Sequence, residues 1–513
     1  MSDMSNKTMN RDSQKRHTFA TRRTFLKKIS MVAGGCAIGG STGLVGSLFA
    51  DRQTRDKPQK QPNVLFIPVD DLRTQLGCYG HSQTLSPNID RLANEGVVFE
   101  RAYCQVPVCG ASRASLMTGI RPHFQEGRFT RFNSRADNDT PEAVSLAKHF
   151  KQNGYYTISN GKVFHDPRDM ADSWSEEIVL SRASGWDLTR NPAGSAEQDL
   201  WLDPKSNQYI NPQTKRGPFF ESADVPDEAY HDGKVAAKTI ADLRRLKDKN
   251  QPFFLACGFF MPHLPWNAPK RYYDLYDPEK IDLADFRQQP HNLPPEVRNS
   301  GEIRRYGRVD EFGWPDSEKF HRQARHAYYA CVSYVDALIG RILDELKALQ
   351  LDRDTIVILW GDHGYHLGEY DFWGKHNTLN NAMQVPLIVR APGCSADRRT
   401  DALVEFVDIY PSLCELAGLP LPDSHRLHGK SFVPLMDNPK KPWKEAVYSE
   451  WQNGSVVKTD RYIYTEWPSG SRMLFDHHTD PYETANIADE PENAEIIVHL
   501  RQMLKDLERC YHS

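Results

Sequence analysis

Carboxylate side chains follow two apolar segments of the sequence, at the points where buried strands would end. Asp70 and Asp71 come directly after residues 63–69, and Asp362 comes shortly after residues 355–360. Three carboxylates in one place repel one another unless a cation lies among them. A donor set rich in oxygen favours a hard ion, Ca²⁺ or Mg²⁺, over zinc. The spacing alone is equally compatible with three independent surface aspartates.

Basic and imidazole side chains stand at equivalent positions. Lys162 and His165 follow residues 155–159, and His263 follows residues 252–257. In an open α/β sheet, ligands bind outside the carboxyl ends of the strands, so separate strand ends can build one site. A single Asp pair or a single His is more often structural, and only the joint occurrence favours a site. Its candidate members are Asp70, Asp71, Lys162, His165, His263, Asp362 and His363.

Alternation of apolar and helical segments predicts the fold that must position these groups. The predicted strands are 63–69, 155–159, 252–257 and 355–360, and the helix candidates include 90–95, 145–152, 234–246 and 323–349. Short apolar runs separated by helices indicate strands that are buried on both faces. The sequence therefore predicts an α/β fold, with a large, mostly parallel sheet sandwiched by helices.

A smaller second unit is predicted at the C-terminal end. Proline and glycine cluster at 419–428, where we place a boundary. The elements predicted beyond it are antiparallel strands at 446–451 and 461–466 and a helix at 494–507. We therefore expect a main domain over 63–425 and a C-terminal α+β subdomain over 426–513. The irregular, Pro-rich stretch 282–315 is expected to be a surface excursion near the site.

The net charge of −4 averages over two unlike parts of the chain. The first fifty residues hold eight Lys or Arg and two Asp, a net charge of +6, which leaves −10 on the rest. Binding of nucleic acid therefore has no compositional support. A polyanionic substrate cannot rely on overall attraction to such an acidic chain either. Its recognition must come from a local concentration of positive charge.

The first fifty residues resemble an export signal. Arg22 and Arg23 lie in the sequence Thr-Arg-Arg-Thr-Phe-Leu-Lys, which resembles a twin-arginine motif, and a glycine-rich apolar segment follows. A retained anchor or a disordered tail is the alternative. We expect residues 1–50 to be a signal used by the twin-arginine translocase and residues 51–62 to be a linker. The mature protein would then be periplasmic or secreted.

Eight cysteines lie beyond this signal, and their wide spacing indicates neither a metal site nor a disulfide framework. We expect buried, unpaired thiols. Cys109 differs from the others because it opens a predicted helix over 111–118, and a helix N-terminus favours an anion. Residue chemistry leaves open an ordinary buried thiol or a thiolate nucleophile. A Cys-His protease, however, would not need the carboxylate cluster.

Residues 109–113, Cys-Gly-Ala-Ser-Arg, resemble the sulfatase signature Cys-x-Pro/Ala-Ser-Arg, whose cysteine is oxidised to formylglycine (3-oxoalanine). The resemblance extends over most of the chain from about residue 63, and within the family it is greatest to the iduronate-2-sulfatases. It implies a sulfuric ester hydrolase with an alkaline-phosphatase-like fold. Ala111 replaces the commoner proline, which bears on whether a formylglycine-generating or an anaerobic sulfatase-maturating enzyme acts on it. The segments that carry the resemblance are 69–73, 76–80, 86–90, 161–165, 262–265, 361–364 and 373–376.

The resemblance implies a role for each candidate residue. The ligands of Ca²⁺ would be Asp70, Asp71, Asp362 and His363 together with the modified Cys109. Hydrated formylglycine would attack sulfur with one hydroxyl and expel sulfate with the help of the other. The implied catalytic set is Cys109 as nucleophile, Arg113 and Lys162 as anchors of the diol, His165 as base, Lys375 as sulfate ligand and His263 as acid for the leaving sugar oxygen.

The implied substrate is a sulfated oligosaccharide or polysaccharide, and glycosaminoglycans and sulfated algal glycans both remain open. Tyr365 and His376 depart from the iduronate-2-sulfatase pattern where the sugar ring is expected to rest. The C-terminal subdomain is expected to close one side of the cleft. One alternative is a phosphate or phosphonate monoester hydrolase on the same scaffold. The other is a non-catalytic glycan-binding homologue in which Cys109 stays a thiol.

Overall fold

The computed structural model describes residues 61–179, 201–315 and 317–509, so the predicted export signal lies outside the described residues. The strands are β1 Asn63–Val69, β2 Val97–Tyr103, β3 Tyr156–Gly161, β4 Phe220–Glu221, β5 Phe253–Gly258, β6 Trp266–Asn267, β7 Thr355–Gly361, β8 His366–Leu367, β9 Trp373–Gly374, β10 Gln384–Arg390, β11 Arg398–Glu405, β12 Ala446–Trp451, β13 Gly454–Thr459, β14 Tyr462–Glu466 and β15 Arg472–Asp476. The helices are α1 Pro87–Asn94, α2 Cys109–Thr118, α3 Ala136–Asp139, α4 Leu146–Gln152, α5 His231–Lys247, α6 Lys270–Tyr273, α7 Glu318–Ala348, α8 Asn380–Met383, α9 Ile409–Ala417, α10 Val433–Asp437 and α11 Ala494–Arg509.

A seven-stranded sheet lies at the centre of the fold, in the order β11-β2-β10-β7-β1-β5-β3. Val64 of β1 pairs with Ile356 of β7 on one side and with Phe254 of β5 on the other. β10 runs antiparallel to both of its neighbours, and the other pairs in this sheet are parallel. This largely parallel sheet with its covering helices confirms the predicted fold class.

Helices cover both faces of the sheet. Successive side chains of a strand point to opposite faces, so neighbouring residues of β1 contact different helices. Phe66 of β1 lies in the apolar cluster that includes Ala114 of α2 and Leu413 of α9. Its neighbour Ile67 lies in the opposite cluster with Leu338 of α7. All seven residues of β1 are buried. A strand covered on both faces has to be apolar throughout, which is why this segment could be predicted.

The C-terminal subdomain is an antiparallel sheet, β12-β13-β14-β15, whose apolar face packs against α11. Its first strand is bonded to the chain that leaves β2, since the Glu450 N–H donates to the Gln105 carbonyl at 2.8 Å. The Gln105 side chain donates to buried Glu405 at 3.1 Å. These bonds connect β12 to the main sheet, and Trp451, its last residue, lines the same cavity as His263.

The cysteines of the described residues are all free thiols, and six of these seven are buried. This confirms the expectation of unpaired cysteines at those positions, and of burial at all of them except the half-buried Cys394. Cys510 lies outside the described residues. Within the described ranges, no helix combines the length and the apolar character needed to cross a membrane.

Candidate active site

Four predicted metal ligands converge where β1, β7 and α2 meet. Asp70 and Asp71 follow β1, His363 follows β7 and Cys109 begins α2, and all four are fully buried. One ligand atom from each lies within 4.8 Å of the others. Cys109 Sγ is 3.2 Å from His363 Nε2, which in turn lies 3.3 Å from Asp71 Oδ1.

Asp362, the fifth predicted ligand, borders this cluster. Its Oδ1 lies 3.6 Å from His363 Nε2 and accepts the backbone N–H of Asp71 at 3.0 Å. Asp71 has a φ of 56°, in the left-handed region. Such a conformation costs a non-glycine residue about 1–3 kcal/mol and persists only where the surroundings impose it. The hydrogen bond to Asp362 is one such restraint.

A buried arginine and a buried lysine neutralise part of the carboxylate charge. Arg113, one turn after Cys109 on α2, donates from Nε to Asp362 Oδ2 at 2.8 Å and from Nη2 to Asp70 Oδ1 at 3.2 Å. Lys162, directly after β3, forms an ion pair with Asp70. Burial by itself would raise the pKa of Asp70, but the charges of Lys162 and its neighbours hold that pKa well below its usual range. Asp70 is therefore ionised.

Lys375 approaches the cluster from the other side. Its Nζ lies 2.8 Å from Asp71 Oδ1 and 3.1 Å from Glu302 Oε2. Burial by itself would lower the pKa of Lys375, yet these two carboxylates raise it well above its usual range. Burial raises the pKa of Asp71 well above its usual range, and the Lys375 charge offsets this only in part.

The balance of buried charge fits a bound cation. The carboxylates gathered here are those of Asp70, Asp71, Asp362 and Glu302, and the basic groups that face them are Arg113, Lys162 and Lys375. One carboxylate is therefore left uncompensated. Burial is the main cause of the raised pKa of Asp71, and the charges of Asp70, Glu302 and Asp362 add to it. A hard divalent ion would remove the excess, and Ca²⁺ prefers such oxygen-rich donor sets.

Cys109 is fixed at the first turn of α2 by close packing. A Cβ at Gly110 would lie 2.2 Å from the carbonyl oxygen of Phe132, so this position of the signature excludes a side chain. Ser112 donates to the carbonyl of Asp362 at 2.5 Å. Burial, reinforced by the charge of Asp70, raises the pKa of the Cys109 thiol well above its usual range. The unmodified thiol is thus protonated and a poor nucleophile.

Two buried imidazoles lie beside the cluster. His165 packs edge-on against Phe132, with ring centroids 4.7 Å apart. His263 Nδ1–H donates to the carbonyl of Leu264 at 2.6 Å, and its Nε2 lies 3.5 Å from Glu302 Oε1. Burial, with nearby lysine charge, lowers the pKa of both groups, that of His263 to about 3. Both rings are neutral near neutral pH, so each can accept a proton.

A cavity of about 650 Å³ opens beside His263. The rings of His376 and Trp451 stack in its wall, with centroids 5.2 Å apart and planes inclined by 17°. Gln452, in the turn after β12, also lines it. The C-terminal sheet thus forms one side of the cleft, as the resemblance implied, and the cavity has the size of a small-molecule site.

Two residues differ from the sequence-based expectations. Glu302 was missed because it lies in the irregular stretch 282–315, where neither a motif nor a periodicity marks it. Tyr365 is fully buried and stacks on Tyr328, with ring centroids 5.9 Å apart. The expectation that Tyr365 lies against the sugar ring is therefore wrong. His376 does line the cavity.

Comparisons with known proteins agree with this geometry. The profile of the sulfatase family matches residues 62–419, and that of the N-sulphoglucosamine sulphohydrolase C-terminal region matches residues 368–510. Iduronate 2-sulfatase of Mus musculus is 34% identical over 402 residues, which cover 70% of this chain and 69% of that protein. A sulfatase of Formosa agariphila is 34% identical over 468 residues, 87% of this chain and 88% of that one. The chain belongs to the sulfatase family and is a sulfuric ester hydrolase.

Solved structures share the fold. A protein in complex with its substrate D-glucosamine-2-N,6-O-disulfate superposes with a TM-score of 0.70 at 22% identity, covering 88% of this chain and 98% of that one. A phosphonate monoester hydrolase from Silicibacter pomeroyi superposes with a TM-score of 0.69 at 25% identity, covering 88% and 96%. The scaffold is therefore shared by proteins that act on different tetrahedral oxyanions.

Proposed function

We propose that this chain hydrolyses sulfate esters of a sulfated carbohydrate, with Cys109 converted to formylglycine and Ca²⁺ held by Asp70, Asp71, Asp362, His363 and the modified residue. The observation that carries the proposal is the position of Cys109. Its Sγ lies among the predicted metal ligands, 3.2 Å from His363 Nε2, at the N-terminus of α2. A nucleophile at this position would lie next to the bound sulfate. The metal ion, the N-terminus of the helix and the lysines would all stabilise the negative charge of that sulfate.

Modification of Cys109 would supply the nucleophile, because the thiol itself is protonated and poorly reactive. The raised pKa keeps the thiol protonated, whereas the thiolate is the reactive form. We propose that a formylglycine-generating or anaerobic sulfatase-maturating enzyme oxidises Cys109. The hydrated aldehyde offers a hydroxyl instead. Bound Ca²⁺ would lower the pKa of a coordinated hydroxyl and neutralise negative charge on sulfate.

The remaining residues orient the reactants and move protons. Arg113 holds Asp70 and Asp362 in place. Lys375 keeps its charge because of the carboxylates around it and can bind a sulfate oxygen. Neutral His165 suits the role of base. His263 must gain a proton before it can donate one to the leaving oxygen. The negative charge of a bound sulfate would raise the pKa of this neighbouring imidazole and so favour its protonation.

The substrate class rests on the relatives and on the cavity. The 34% identity to iduronate 2-sulfatase supports a sulfated sugar, from a glycosaminoglycan or an algal polysaccharide. A cavity of about 650 Å³ with an aromatic wall can hold a sugar ring.

We also propose twin-arginine export to the periplasm or the medium, because such substrates lie outside the cell. Tracking the chain and its Arg22→Lys/Arg23→Lys variant in cell fractions tests this: loss of export in the variant is expected.

A second candidate activity is hydrolysis of phosphate or phosphonate monoesters, because a phosphonate monoester hydrolase shares the scaffold. The test compares kcat/KM for 4-nitrophenyl sulfate and 4-nitrophenyl phosphate on the matured, Ca²⁺-loaded enzyme. We expect the sulfate to be hydrolysed faster; faster hydrolysis of the phosphate would overturn the proposal.

Mass spectrometry of the peptide that contains Cys109 distinguishes a catalytic sulfatase from a protein that only binds glycans. An unmodified thiol in native protein would favour binding alone.

A further inference from the structure

The cavity beside His263 is lined by more positive charge than its own carboxylate can balance. Arg216, Arg298 and Arg305 all line it. Glu302 is the only acidic side chain among the described lining residues, and it is committed to Lys375, with Oε2 3.1 Å from Nζ. The basic groups at the metal cluster are likewise bound to carboxylates, as described above. The positive charge that no described carboxylate pairs with in this wall is therefore that of Arg298 and Arg305.

The arginines belong to two separate segments that the fold brings together. Arg298 and Arg305 lie in the stretch 282–315, and both are exposed. Arg298 Nε donates to the carbonyl of Pro295 at 2.7 Å. Within the described residues, neither Arg298 nor Arg305 forms an ion pair with a carboxylate. Arg216 places its guanidinium over the ring of Tyr306, 5.0 Å from Cζ to the centroid.

The same wall also offers a flat aromatic surface to a ligand. The rings of Trp451 and His376 stack in it, with centroids 5.2 Å apart. Small-molecule sites are typically lined by aromatic side chains together with a few polar or charged groups that fix the orientation of the ligand. The wall beside His263 combines both features.

We propose that the cavity binds a saccharide that carries a second anionic substituent, a carboxylate or a second sulfate, besides the sulfate ester that is cleaved. Arg298 and Arg305, with Arg216, hold this second anion, since arginine forks bind carboxylates and sulfates in bidentate fashion. The stacked rings of His376 and Trp451 face the sugar. The inference rests on the proposed function and adds that the substrate is at least dianionic.

The experiment measures inhibition of 4-nitrophenyl sulfate hydrolysis by three saccharides, with the matured, full-length enzyme. N-acetylglucosamine 6-sulfate carries no second anion, 2-O-sulfated iduronic acid adds a carboxylate, and D-glucosamine-2-N,6-O-disulfate adds a sulfate. The variants are Arg298→Ala/Arg305→Ala and the control Arg304→Ala. Arg304 is also exposed, but it lies over Trp314, 5.5 Å from Cζ to the centroid, and does not line the cavity.

We expect the double variant to raise the inhibition constant of at least one dianionic saccharide about 20-fold and that of N-acetylglucosamine 6-sulfate by no more than about threefold. The saccharide that responds identifies the second anion as carboxylate or sulfate. Its binding to the wild type should weaken steeply with added salt, and this dependence should flatten in the double variant. The control should match the wild type.

Equal losses for all three saccharides, or none, would overturn the inference. If the matured enzyme does not hydrolyse 4-nitrophenyl sulfate at all, the proposed function fails. Calorimetric titration then measures the binding of the same saccharides to the wild type and the double variant. It tests the anion subsite independently of the proposed function, since binding does not require turnover.

Discussion

Glu302 Oε2 lies 3.1 Å from Lys375 Nζ, and this ion pair is shielded from solvent, with side chains 11% and 0% exposed. The other oxygen of the same carboxylate, Oε1, lies 3.5 Å from His263 Nε2. Lys375 also contacts Asp71 at 2.8 Å. One glutamate from an irregular segment therefore positions the proposed sulfate ligand and the proposed acid relative to each other.

Glu302→Gln should lower kcat about 10- to 100-fold, the usual cost of losing a group that orients residues at a metal site. The amide keeps the shape of the carboxylate but cannot balance the charge of Lys375, or that of His263 once it is protonated. Steady-state kinetics and thermal unfolding of the variant test this, and Glu302→Asp should restore part of kcat. Glu311→Gln, on the same surface excursion, is the control. A kcat within twofold of wild type would remove Glu302 from the site.

Cys109→Ala should lower turnover by more than about 10³-fold while the protein stays folded, because the nucleophile is lost and the apolar core is not. Circular dichroism and hydrolysis of 4-nitrophenyl sulfate are the measurements. Cys414→Ala, a buried thiol in α9, is the matched control and should retain activity. Substantial activity in Cys109→Ala would contradict the assignment of the nucleophile.

His263→Ala should slow the hydrolysis of a sugar sulfate about 10²- to 10⁴-fold but that of 4-nitrophenyl sulfate far less. The sugar alkoxide must be protonated as it leaves, whereas nitrophenolate is a stable anion. The ratio of kcat/KM for the two substrates is the readout, and His326→Ala, a buried histidine of α7, is the control. An equal loss on both substrates would assign His263 to binding rather than to proton transfer.

Chelation of divalent ions should reduce both activity and thermal stability, and Ca²⁺ should restore them. Removal of the cation leaves the buried carboxylates of Asp70, Asp71 and Asp362 under-compensated. At a free Ca²⁺ concentration of about 100 times Kd, the free energy of unfolding should rise by about 2.7 kcal/mol. Calorimetry on wild type and Asp71→Asn measures this, and the variant should respond weakly. Restoration by zinc but not by calcium would refute the metal assignment.

Glu405 should make the junction between the two sheets acid-sensitive. Burial by itself would raise the pKa of Glu405, but Arg121 and Lys444 lower it to about 2. Since the unfolded value is about 4.3, the ionised group stabilises the fold fully above that pH. The stabilisation is lost as the pH falls from there towards 2.

Glu405→Gln should therefore cost about 3–5 kcal/mol at neutral pH, the usual result of breaking a buried ion pair. The free energy of unfolding of this variant should also fall less than that of the wild type between pH 4 and pH 2. Urea unfolding at several pH values is the measurement, with exposed Glu445→Gln as the control. Parallel pH profiles for wild type and Glu405→Gln would show that the carboxylate does not titrate with folding.

Part of the fold was predictable because burial imposes a pattern on the sequence. The segment 63–69 is apolar after Asn63 since helices cover it on both faces, and β1 has those same limits. β2 was not predicted because Glu100 and Arg101 interrupt its apolar run. Arg101 extends to Asp460 of the C-terminal subdomain, a contact that no local pattern reveals. Charged residues likewise interrupt the apolar pattern of β11, which lies at the edge of the sheet.

Local sequence patterns predict the chemistry proposed for the site. The proposed metal ligands, the proposed nucleophile and the lysines follow strand ends or lie in short motifs, and both signals are local in the chain. The residues that surround them could not be predicted in this way. Glu302, Trp451 and the three arginines come from segments far apart in sequence, and long-range packing alone brings them to one cavity. The positive charge that the proposed anionic substrate requires of this acidic chain is therefore visible only in the folded structure.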